Sequence, residues 1–563
     1  MKKLRHSILF FFLGITISPA QNYAFDELDI NNVRARFFAN GGLFYDGSFP
    51  SLGSGFEVPK GSGKSTIFSS RLWIGGVDAN GQLKLAAERY NQVGRDFFYG
   101  TLDNDSSGSC SIAYTDYFNH VWKINKSTID TFLQVSNHTL NIPGYVIPDE
   151  ILQWPSDVAP FVDVNGDGNY IPQIFGDYPK IRGDQALFFV FNDKCDLHTE
   201  SGGEAIGVEI HGMAYAYNCP IDSALSNTVF VHYDIINRGP FTLTNTYIGL
   251  WSDMDIGFAN DDFVGCDVMR GSYFTYNGVN VDHAPSQSVT FLAGPYQDEN
   301  GIDDAFGIGL DESLNGFGFR DGITDNERLG LSNFSYFNNP GGSVESLARI
   351  YYNYLQTYQA DGSPVLYNGF YNTPTKYMFP GNSDQEYFWG TNGVSVPFWS
   401  EETSGNVPYD RRGLGSSGPF TLEPGEVNPF DIAFVYGRDY DGNNIESTFV
   451  MKDRIDAIRA MFLADSTSCG GTFTSVKETE TIKNKIVIFP NPANEIITVS
   501  CSAPAKEQLI ELFNVNGQKV LSESLNNTSG KTEIDVNALS SGIYFIRISN
   551  RKEIIYVQKI IKN

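Results

Sequence analysis

Apolar runs along this chain are short, and Gly, Asn, Asp and Pro interrupt them at close intervals. Turn-forming residues at this spacing favour short strands over long helices. Apolar and polar side chains alternate most clearly in residues 205–218 and 227–255, which we interpret as paired strands that turn at 237–240. This pattern is typical of a β-sandwich. We therefore predict a mainly β chain with a multi-domain β-sandwich body and long loops.

The chain has 563 residues, which exceeds the roughly 250–300 residues that one hydrophobic core can serve. We expect an N-terminal β-rich lobe over 21–200 and a β-sandwich lobe over 201–465. The second lobe should end in one helix near 445–464, packed on the body, because apolar side chains there fall at helical spacing. These side chains are Phe449, Ile455, Ile458, Met461 and Phe462. Residues 466–484 are polar and rich in Gly, Ser and Thr, which predicts a linker.

The first twenty residues have the features of an export signal. Basic side chains at Lys2, Lys3 and Arg5 precede an apolar run over 8–17, and small residues at 18–20 fit a cleavage site. Residues 1–20 are therefore predicted to be a signal peptide. No later apolar run reaches about 18 residues, so we expect no transmembrane helix in the mature chain. Export permits disulfides among the six cysteines, but their spacing assigns no pairs, and buried thiols are an equal alternative.

Charge is unevenly distributed along the chain. The formal net charge is −27, and residues 21–484 alone carry 27 basic and 59 acidic side chains, a net of −32. Such a body repels nucleic acid and anionic lipid, so nucleic acid is excluded as a partner. Two interpretations stay open, namely a solvated acidic surface and a surface partly neutralised by bound cations.

The last 79 residues contain three alternating segments separated by turn residues. The segments are KIVIFPNPANEIITVS (485–500), LIELFNVNGQKVLSESL (509–525) and ALSSGIYFIRISNRKEIIYVQKIIKN (538–563). This length suffices for a small Ig-like β-sandwich. The segment resembles the type A C-terminal sorting domain of the Bacteroidota type IX secretion system in its FPNP opening, LFNVNGQKV centre, LSSGIYFIRI strand and KIIKN close. An ordinary adhesive Ig-like module is the alternative.

That resemblance implies a partner and a destination. Residues 485–563 would engage the type IX secretion machinery, and the chain would be secreted or held at the outer cell surface. Cleavage of the domain, followed by release or by attachment to surface lipopolysaccharide, is what the family implies.

The body is similar to large, uncharacterised secreted Bacteroidota proteins that carry the same tail. The similarity covers most of residues 30–440 and includes the blocks VRARFFANGGLFYDG, FEVPKGSGKSTIFSSRLWIGG, GLWSDMDIGFANDDFVGCD and DRRGLGSSGPFTLEPGE. It implies a shared fold and export route. It offers no activity to carry over.

Motifs for catalysis are weak, and we assign no catalytic residue. The GSGKST run (61–66) has Val58 where a phosphate-binding Walker loop needs Gly. There is no GxSxG or HExxH motif. His211 and His232 lie within alternating strands, where a structural imidazole is the simpler interpretation. A triad assembled across the fold and a glycosidase carboxylate pair stay open as alternatives.

The run DVNGDGNYIP (163–172) has the spacing of a calcium loop. Oxygen-bearing side chains at alternate positions can point inward, while Gly168 permits a sharp turn. Ile174 occupies the place of the closing acid in an EF-hand, and Pro172 disfavours an immediate helix, so closure would come from a later Asp. The predicted calcium ligands are Asp163, Asn165, Asp167, Asn169, Asp177 and Asp184. A simple Asx-rich turn is the alternative.

A second acidic group follows the strand YIGLW and consists of Asp253, Asp255, Asp261, Asp262 and Asp267. If these side chains converge, their mutual repulsion requires a cation, and we predict a second calcium site. If they diverge, they form a hydrated loop.

Together these features predict a secreted or cell-surface, calcium-stabilised, β-rich protein of adhesive, structural or ligand-binding type. A glycan or a protein is a candidate ligand, because aromatic rings can stack on sugars, although the Trp and Tyr side chains of RLWIGG, LQWPSD and EYFWGT serve equally well as core. The chain is more consistent with a non-enzyme. A secreted hydrolase acting on polysaccharide or protein is the alternative.

Overall fold

The computed structural model describes most of the chain. The described residues are 23–45, 53–90, 94–104, 107–110, 117–307, 312–338, 347–369, 372–473, 486–501, 509–514, 519–524, 531–549 and 554–563. The predicted signal peptide lies outside them, as do residues 474–484 of the predicted linker. The chain forms two compact units, Met1–Ser475 and Val476–Asn563.

The first unit is built mainly of strands. They are β1 (Phe25–Leu28), β2 (Arg34–Phe38), β3 (Phe56–Glu57), β4 (Ser65–Ile67), β5 (Ser69–Asp78), β6 (Leu83–Ala87), β7 (Phe98–Tyr99), β8 (Trp122–Asn125), β9 (Phe161–Val162), β10 (Tyr178–Pro179), β11 (Gln185–Asn192), β12 (Val208–Ala216), β13 (Thr228–Asn237), β14 (Leu243–Asp253), β15 (Asp262–Asp267), β16 (Ser272–Asn277), β17 (Ser286–Ala293), β18 (Asn333–Asn338), β19 (Arg411–Leu422) and β20 (Val427–Gly437). Its helices are α1 (Lys126–Ser136), α2 (Asp149–Leu152), α3 (Pro172–Phe175), α4 (Ser223–Ser226), α5 (Ala348–Leu355) and α6 (Asn444–Leu463). The prediction of a mainly β chain is confirmed.

The strands form antiparallel sheets. A nine-stranded sheet has the order β15-β16-β17-β20-β13-β12-β11-β7, with β8 also paired to β11. A five-stranded sheet has the order β18-β19-β14-β5-β6, and β1 to β4 form a sheet of four. One core cluster contains side chains from both large sheets, among them Phe189, Val231 and Phe434 from the nine-stranded sheet and Ile74 and Leu250 from the five-stranded sheet. The two large sheets therefore pack face to face as a sandwich.

Helices cover the outer faces of both large sheets. Met451, Ile455 and Ile458 of α6 pack with Phe230 and Val435 of the nine-stranded sheet. On the five-stranded sheet, side chains of α5 pack with those of β5 and β14. Strands buried on both faces need apolar side chains at successive positions, which explains why β11 is buried throughout.

Helix α6 confirms the predicted helix and its packing on the body. Asn443 caps its N-terminus, and the Asn443 and Glu446 side chains form a reciprocal capping box. Phe449 does not belong to the buried face as predicted, because 57% of it is exposed. Among the described residues, no helix is long and apolar enough to span a membrane.

Sheet pairing crosses the boundary predicted near residue 200. Strands β11 and β12 lie on either side of it and pair along their length, from Gln185 with Ala216 to Asn192 with Glu209. The predicted pairing across the turn at 237–240 is wrong. Strand β13 pairs with β12 and β20, whereas β14 pairs with β5 and β19. The turn therefore carries the chain from one sheet of the sandwich to the other.

Two disulfides link distant segments of the first unit. Cys110 is bonded to Cys195, and Cys219 is bonded to Cys469. The second bond ties the chain after α6 to the segment between β12 and β13. Cys266 is a buried free thiol.

The second unit has two antiparallel sheets. Its strands are β21 (Ile486–Phe489), β22 (Ile496–Cys501), β23 (Leu509–Asn514), β24 (Lys519–Ser524), β25 (Lys531–Asp535), β26 (Gly542–Ser549) and β27 (Ile554–Lys562). The sheet orders are β21-β22-β25 and β24-β23-β26-β27. Alternate side chains of both sheets form one core, for example Ile497 and Val499 of β22 with Ile546 and Ile548 of β26. The arrangement is the small β-sandwich expected from the sequence.

Candidate metal centre

Three segments of the first unit converge at one end of the five-stranded sheet. Asp253 is the last residue of β14, and Asp262 is the first residue of β15. Asp410 directly precedes β19, whose second residue, Arg412, pairs with Asp253 across the sheet. A backbone bridge joins Tyr409 to Asp262. Together with Asp255 and Asp261, these three aspartates form a set that we name the acidic centre.

Three carboxylates of the acidic centre lie close together. One oxygen each of Asp253, Asp255 and Asp410 lies within 4.8 Å of the others. In the part of the chain that the structure describes, this is the one set of three acidic, His or Cys side chains with such spacing. Asp253 and Asp262 are buried, and the other three aspartates are half-buried. The spacing suits a single ion held between the oxygens.

Several oxygens of the acidic centre have no donor. The Oδ1 atoms of Asp253, Asp255, Asp261 and Asp262 are buried without a hydrogen-bond partner among the protein groups described. A buried acceptor without a partner costs about 1–3 kcal/mol, and more when it is charged. These four oxygens can be satisfied by protons, by water or by a cation.

Burial and mutual repulsion both act on the acidity of these groups. Burial raises the pKa of Asp253 to about 7, against the lowering effect of Arg412, and Asp255 adds to the rise. Burial also holds the pKa of Asp262 well above its usual range, and Asp255, Asp261 and Asp253 raise it further. The pKa of Asp255 is raised by burial as well. The ionised centre is thus destabilised in the absence of a positive charge.

The guanidinium of Arg412 partly neutralises the negative charge of the acidic centre. Arg412 Nη2 donates to Asp253 Oδ2 at 3.0 Å, and Nη1 contacts Asp410. Tyr90 donates from its hydroxyl to the same Asp253 oxygen at 2.6 Å and accepts from Arg412 Nε at 2.8 Å. These contacts occupy Oδ2 of Asp253, whereas its Oδ1 has no hydrogen-bond partner among the described protein groups. Carboxylate oxygens alone are the ligand set of hard cations such as Ca²⁺, Mg²⁺ and Mn²⁺.

Of the five aspartates predicted for this group, the structure places oxygens of Asp253 and Asp255 within 4.8 Å of each other and adds Asp410 to them. The charges of Asp253, Asp255 and Asp261 act on the neighbouring Asp262. Asp267 lies at the other end of β15, where Arg270 Nη1 at 3.0 Å and Lys452 Nζ at 3.4 Å pair with its carboxylate. Its assignment as a ligand of this site is therefore not supported by the geometry. Asp410 was missed because it is remote in sequence. Only the pairing of β19 with β14, which sets Arg412 opposite Asp253, brings Asp410 to the centre.

The predicted calcium loop forms a tight exposed turn. Asp163 accepts hydrogen bonds from the backbone of Gly166 at 2.7 Å and of Gly168 at 2.6 Å. Asn165 donates from its side chain to Asp167 at 2.8 Å, and Asn169 donates from its backbone to the other Asp167 oxygen at 2.8 Å. Both the calcium loop and the Asx-rich turn are compatible with these contacts, so the calcium assignment stays a prediction.

Of the two acids proposed to close the loop, one folds back on it. Buried Asp177 accepts from the backbone of Val164 at 2.9 Å and of Ile171 at 2.7 Å. Asp184 instead accepts from the backbone of Asn218 at 2.8 Å. A four-residue helix, α3, begins at Pro172, contrary to the expectation that Pro172 disfavours a helix there. Proline is tolerated at the first helical position because its missing N–H would have no partner there.

The two histidines inside strands are held by carboxylates. His232 lies between Asp431, 2.8 Å from Nδ1, and Asp234, 3.2 Å from Nε2. His211 Nε2 lies 2.8 Å from Glu209. Both imidazoles thus contact carboxylates on the nine-stranded sheet.

Comparisons with known proteins concern mainly the second unit. Residues 487–563 match the family model of the secretion system C-terminal sorting domain. Residues 487–563 are a type IX sorting domain. No curated protein matches the chain.

The sorting domain defines the destination of the chain. It directs export through the type IX machinery, with which it interacts, to the cell surface or to the medium. Among solved structures, a polysaccharide lyase is similar over 63% of this chain and 34% of its own length, at 8% sequence identity and a TM-score of 0.17. The chain thus spans about a third of that structure. A similarity at this level defines neither the fold nor the activity of the first unit.

Proposed function

We propose that this chain is an exported, calcium-stabilised surface or secreted protein that acts by adhesion, by a structural role or by ligand binding. The observation that carries the proposal is the set of buried carboxylate oxygens without donors in the acidic centre. A divalent cation would satisfy these oxygens and offset the burial and the mutual repulsion that raise the pKa values of Asp253 and Asp262.

Calcium fits the acidic centre better than magnesium does. Calcium accepts six to eight oxygens in irregular geometry, whereas magnesium demands a near-ideal octahedron and retains waters. The centre supplies carboxylates from three separate segments, which is an irregular ligand set. The loop at 163–169, closed by Asp177, is a second candidate calcium site of the same chemistry.

Thermal unfolding of the purified full chain with calcium and with chelator tests the proposal. Calcium at roughly 100 times its Kd raises the free energy of unfolding by about 2.7 kcal/mol. The described part of the first unit extends from residue 23 to 473, so its entropy of unfolding is about 0.9 kcal/mol/K. The expected rise in Tm is therefore about 3 °C.

Matched variants locate the ion. Asp410→Asn should abolish the calcium-induced rise in Tm, because it removes one of the three closest carboxylates. Asp267→Asn is the control and should keep the rise, because Asp267 pairs with Arg270 and Lys452 instead. An unchanged Tm with calcium, or equal responses of the two variants, would contradict the proposal. Turnover of a polysaccharide or a protein by the chain would favour the hydrolase alternative.

A further inference from the structure

The loop that joins β11 to β12 covers the edge of another sheet. Strand β6 ends the strand order of the five-stranded sheet, and residues 193–207 of the loop lie along it. Leu85 in β6 donates its backbone N–H to the carbonyl of Glu204 at 2.9 Å, and Lys84 Nζ lies 2.5 Å from the Glu204 carboxylate. We name residues 193–207 the edge cover. An uncovered strand edge can pair with other chains, so the cover protects the fold.

His198 in the edge cover lies between two backbone carbonyls. Its Nδ1 lies 2.7 Å from the oxygen of Leu85, and its Nε2 lies 2.5 Å from the oxygen of Asp193. A carbonyl oxygen can only accept a hydrogen bond, whereas neutral imidazole has one donor and one acceptor nitrogen. Only the imidazolium, in which both nitrogens donate, satisfies both contacts. The side chain is 1% exposed, so bulk water does not replace a lost contact.

Carboxylates of two segments stabilise a positive charge on His198. Asp96 Oδ2 lies 3.8 Å from Nδ1, Asp193 Oδ2 lies 3.8 Å from Nε2, and both carboxylates are buried. Burial acts to lower the pKa of His198, but Asp193 and Asp96 outweigh it, so the pKa is raised above its usual 6.5. The other charged side chains of the surrounding segments contact partners of their own, namely Arg71 with Glu88, Arg89 with Glu200, Lys84 with Glu204, and Arg95 with Tyr23.

We propose that His198 is a pH-sensitive switch that holds the edge cover on β6 as an imidazolium and releases the cover when it loses a proton. Whichever nitrogen loses its proton then presents a lone pair to a carbonyl oxygen, which opposes the contact with Leu85 or with Asp193. The buried carboxylate of Asp96, which also accepts from the backbone N–H groups of Glu200 and Ser201 in the cover, loses the positive charge beside it.

The direction of the switch follows from the sign of the pKa shift. The folded-state pKa of His198 lies above its ordinary value of 6.5, so the folded protein retains the proton to a higher pH than the unfolded chain does. The stabilisation is complete below pH 6.5 and is lost as pH rises through the raised pKa. The cover is therefore closed in acid and opens in base.

Nitrogen NMR of the full chain with isotope-labelled histidine tests the charge. The chemical shifts distinguish the imidazolium from both neutral tautomers, and the variant His198→Gln assigns the signal by its loss. Both ring nitrogens of His198 should be protonated at pH 6.5, and the residue should titrate at a higher pH than histidine in a short peptide. A neutral His198 at pH 6.5, or titration at or below the pH of the peptide, would overturn the inference.

Hydrogen exchange followed by mass spectrometry tests the release of the cover. After correction for the intrinsic pH dependence of exchange, protection of residues 198–206 and of β6 should fall about five- to a hundredfold as pH passes the titration of His198, the range that one lost buried hydrogen bond predicts. Strand β13, in the centre of the nine-stranded sheet, should stay protected. His198→Gln should have the lower protection already at pH 6.5, because glutamine has one donor nitrogen for two carbonyls. His138→Gln, at an exposed histidine, is the matched control and should behave like the unaltered chain.

Glu88 requires a control of its own. Burial raises its pKa to about 7, and its carboxylate accepts from the backbone of Asp96 and Phe97, so its titration adds a separate pH dependence. Glu88→Gln keeps an acceptor for these N–H groups and should retain the fall in protection with pH. Protection of the cover that does not change with pH in the unaltered chain would overturn the inference. So would a fall that is lost in Glu88→Gln and retained in His198→Gln.

Discussion

Stabilisation by calcium should increase with pH, because calcium competes with protons for the same carboxylates. Burial raises the pKa of Asp253 from 3.8 to about 7. A folded-state pKa above the unfolded value means that the folded protein binds more protons, so the stability of the ion-free protein falls as pH rises through this interval. A difference of about three pKa units corresponds to on the order of 4 kcal/mol in the free energy of unfolding. The ion-free protein should lose this stabilisation by about pH 7.

Only part of that interval is convenient for measurement. Between about pH 5.5 and about pH 8, Asp253 alone should lower the stability of the ion-free chain by roughly 2 kcal/mol. With an unfolding entropy of about 0.9 kcal/mol/K, this lowers Tm by about 2 °C. Calcium bound as proposed would hold the carboxylates ionised, so the calcium-induced rise in Tm should be larger at the higher pH by a similar amount.

Differential scanning calorimetry at both pH values, with calcium and with chelator, measures these shifts. Burial also raises the pKa of Glu88 to about 7. Glu88 therefore makes the stability of the chain fall with rising pH in the same direction, independently of the ion. The difference between the unaltered chain and Asp253→Asn isolates the centre, since the variant should lose both the calcium response and part of the pH slope. An equal calcium response at the two pH values would refute the reasoning.

Two further predictions concern export and covalent stabilisation. A chain that ends before residue 486 should accumulate in the periplasm instead of reaching the surface or medium, as immunoblots of cell fractions would reveal, and normal export would contradict the role of the sorting domain. Replacing Cys219 and Cys469 together by Ser should lower Tm by about 5 °C in calorimetry without reductant, because a disulfide that closes a loop of this length contributes about 5 kcal/mol. An unchanged Tm would contradict that pairing.

Local patterns predicted those parts of the molecule that local interactions determine. Helix α6 follows from helical spacing of apolar residues and a capping box within a few residues. The strands of the sorting domain follow from alternation between turn residues. The spacing of Asp163 and its neighbours indicated a sharp turn at 163–169, which the predicted calcium loop and the alternative Asx-rich turn share.

Local sequence patterns could not predict the contacts between distant segments. Asp267 is near Asp262 in sequence, yet β15 is an extended strand that separates its two ends. Asp410 reaches the acidic centre only because β19 and β14 are neighbours in the sheet. The sequence at 237–240 predicted a hairpin turn. Strands that are buried on both faces have apolar side chains at successive positions, and this pattern does not indicate which sheet a strand joins. The order of strands in the sheets therefore determines which aspartates meet, and sequence spacing does not reveal that order.

The two candidate calcium sites differ in what an ion there would stabilise. The loop at 163–169 is exposed and its amides already satisfy Asp163, so an ion there would order a surface turn. The acidic centre joins the end of β14, the start of β15 and the residue before β19, and its carboxylates converge only when both large sheets have formed. An ion in the acidic centre therefore binds the folded unit and not its separate segments, so its whole binding free energy adds to global stability. Chelation should accordingly lower the cooperative unfolding transition of the first unit through the acidic centre, whereas loss of the ion from the loop should alter only local order.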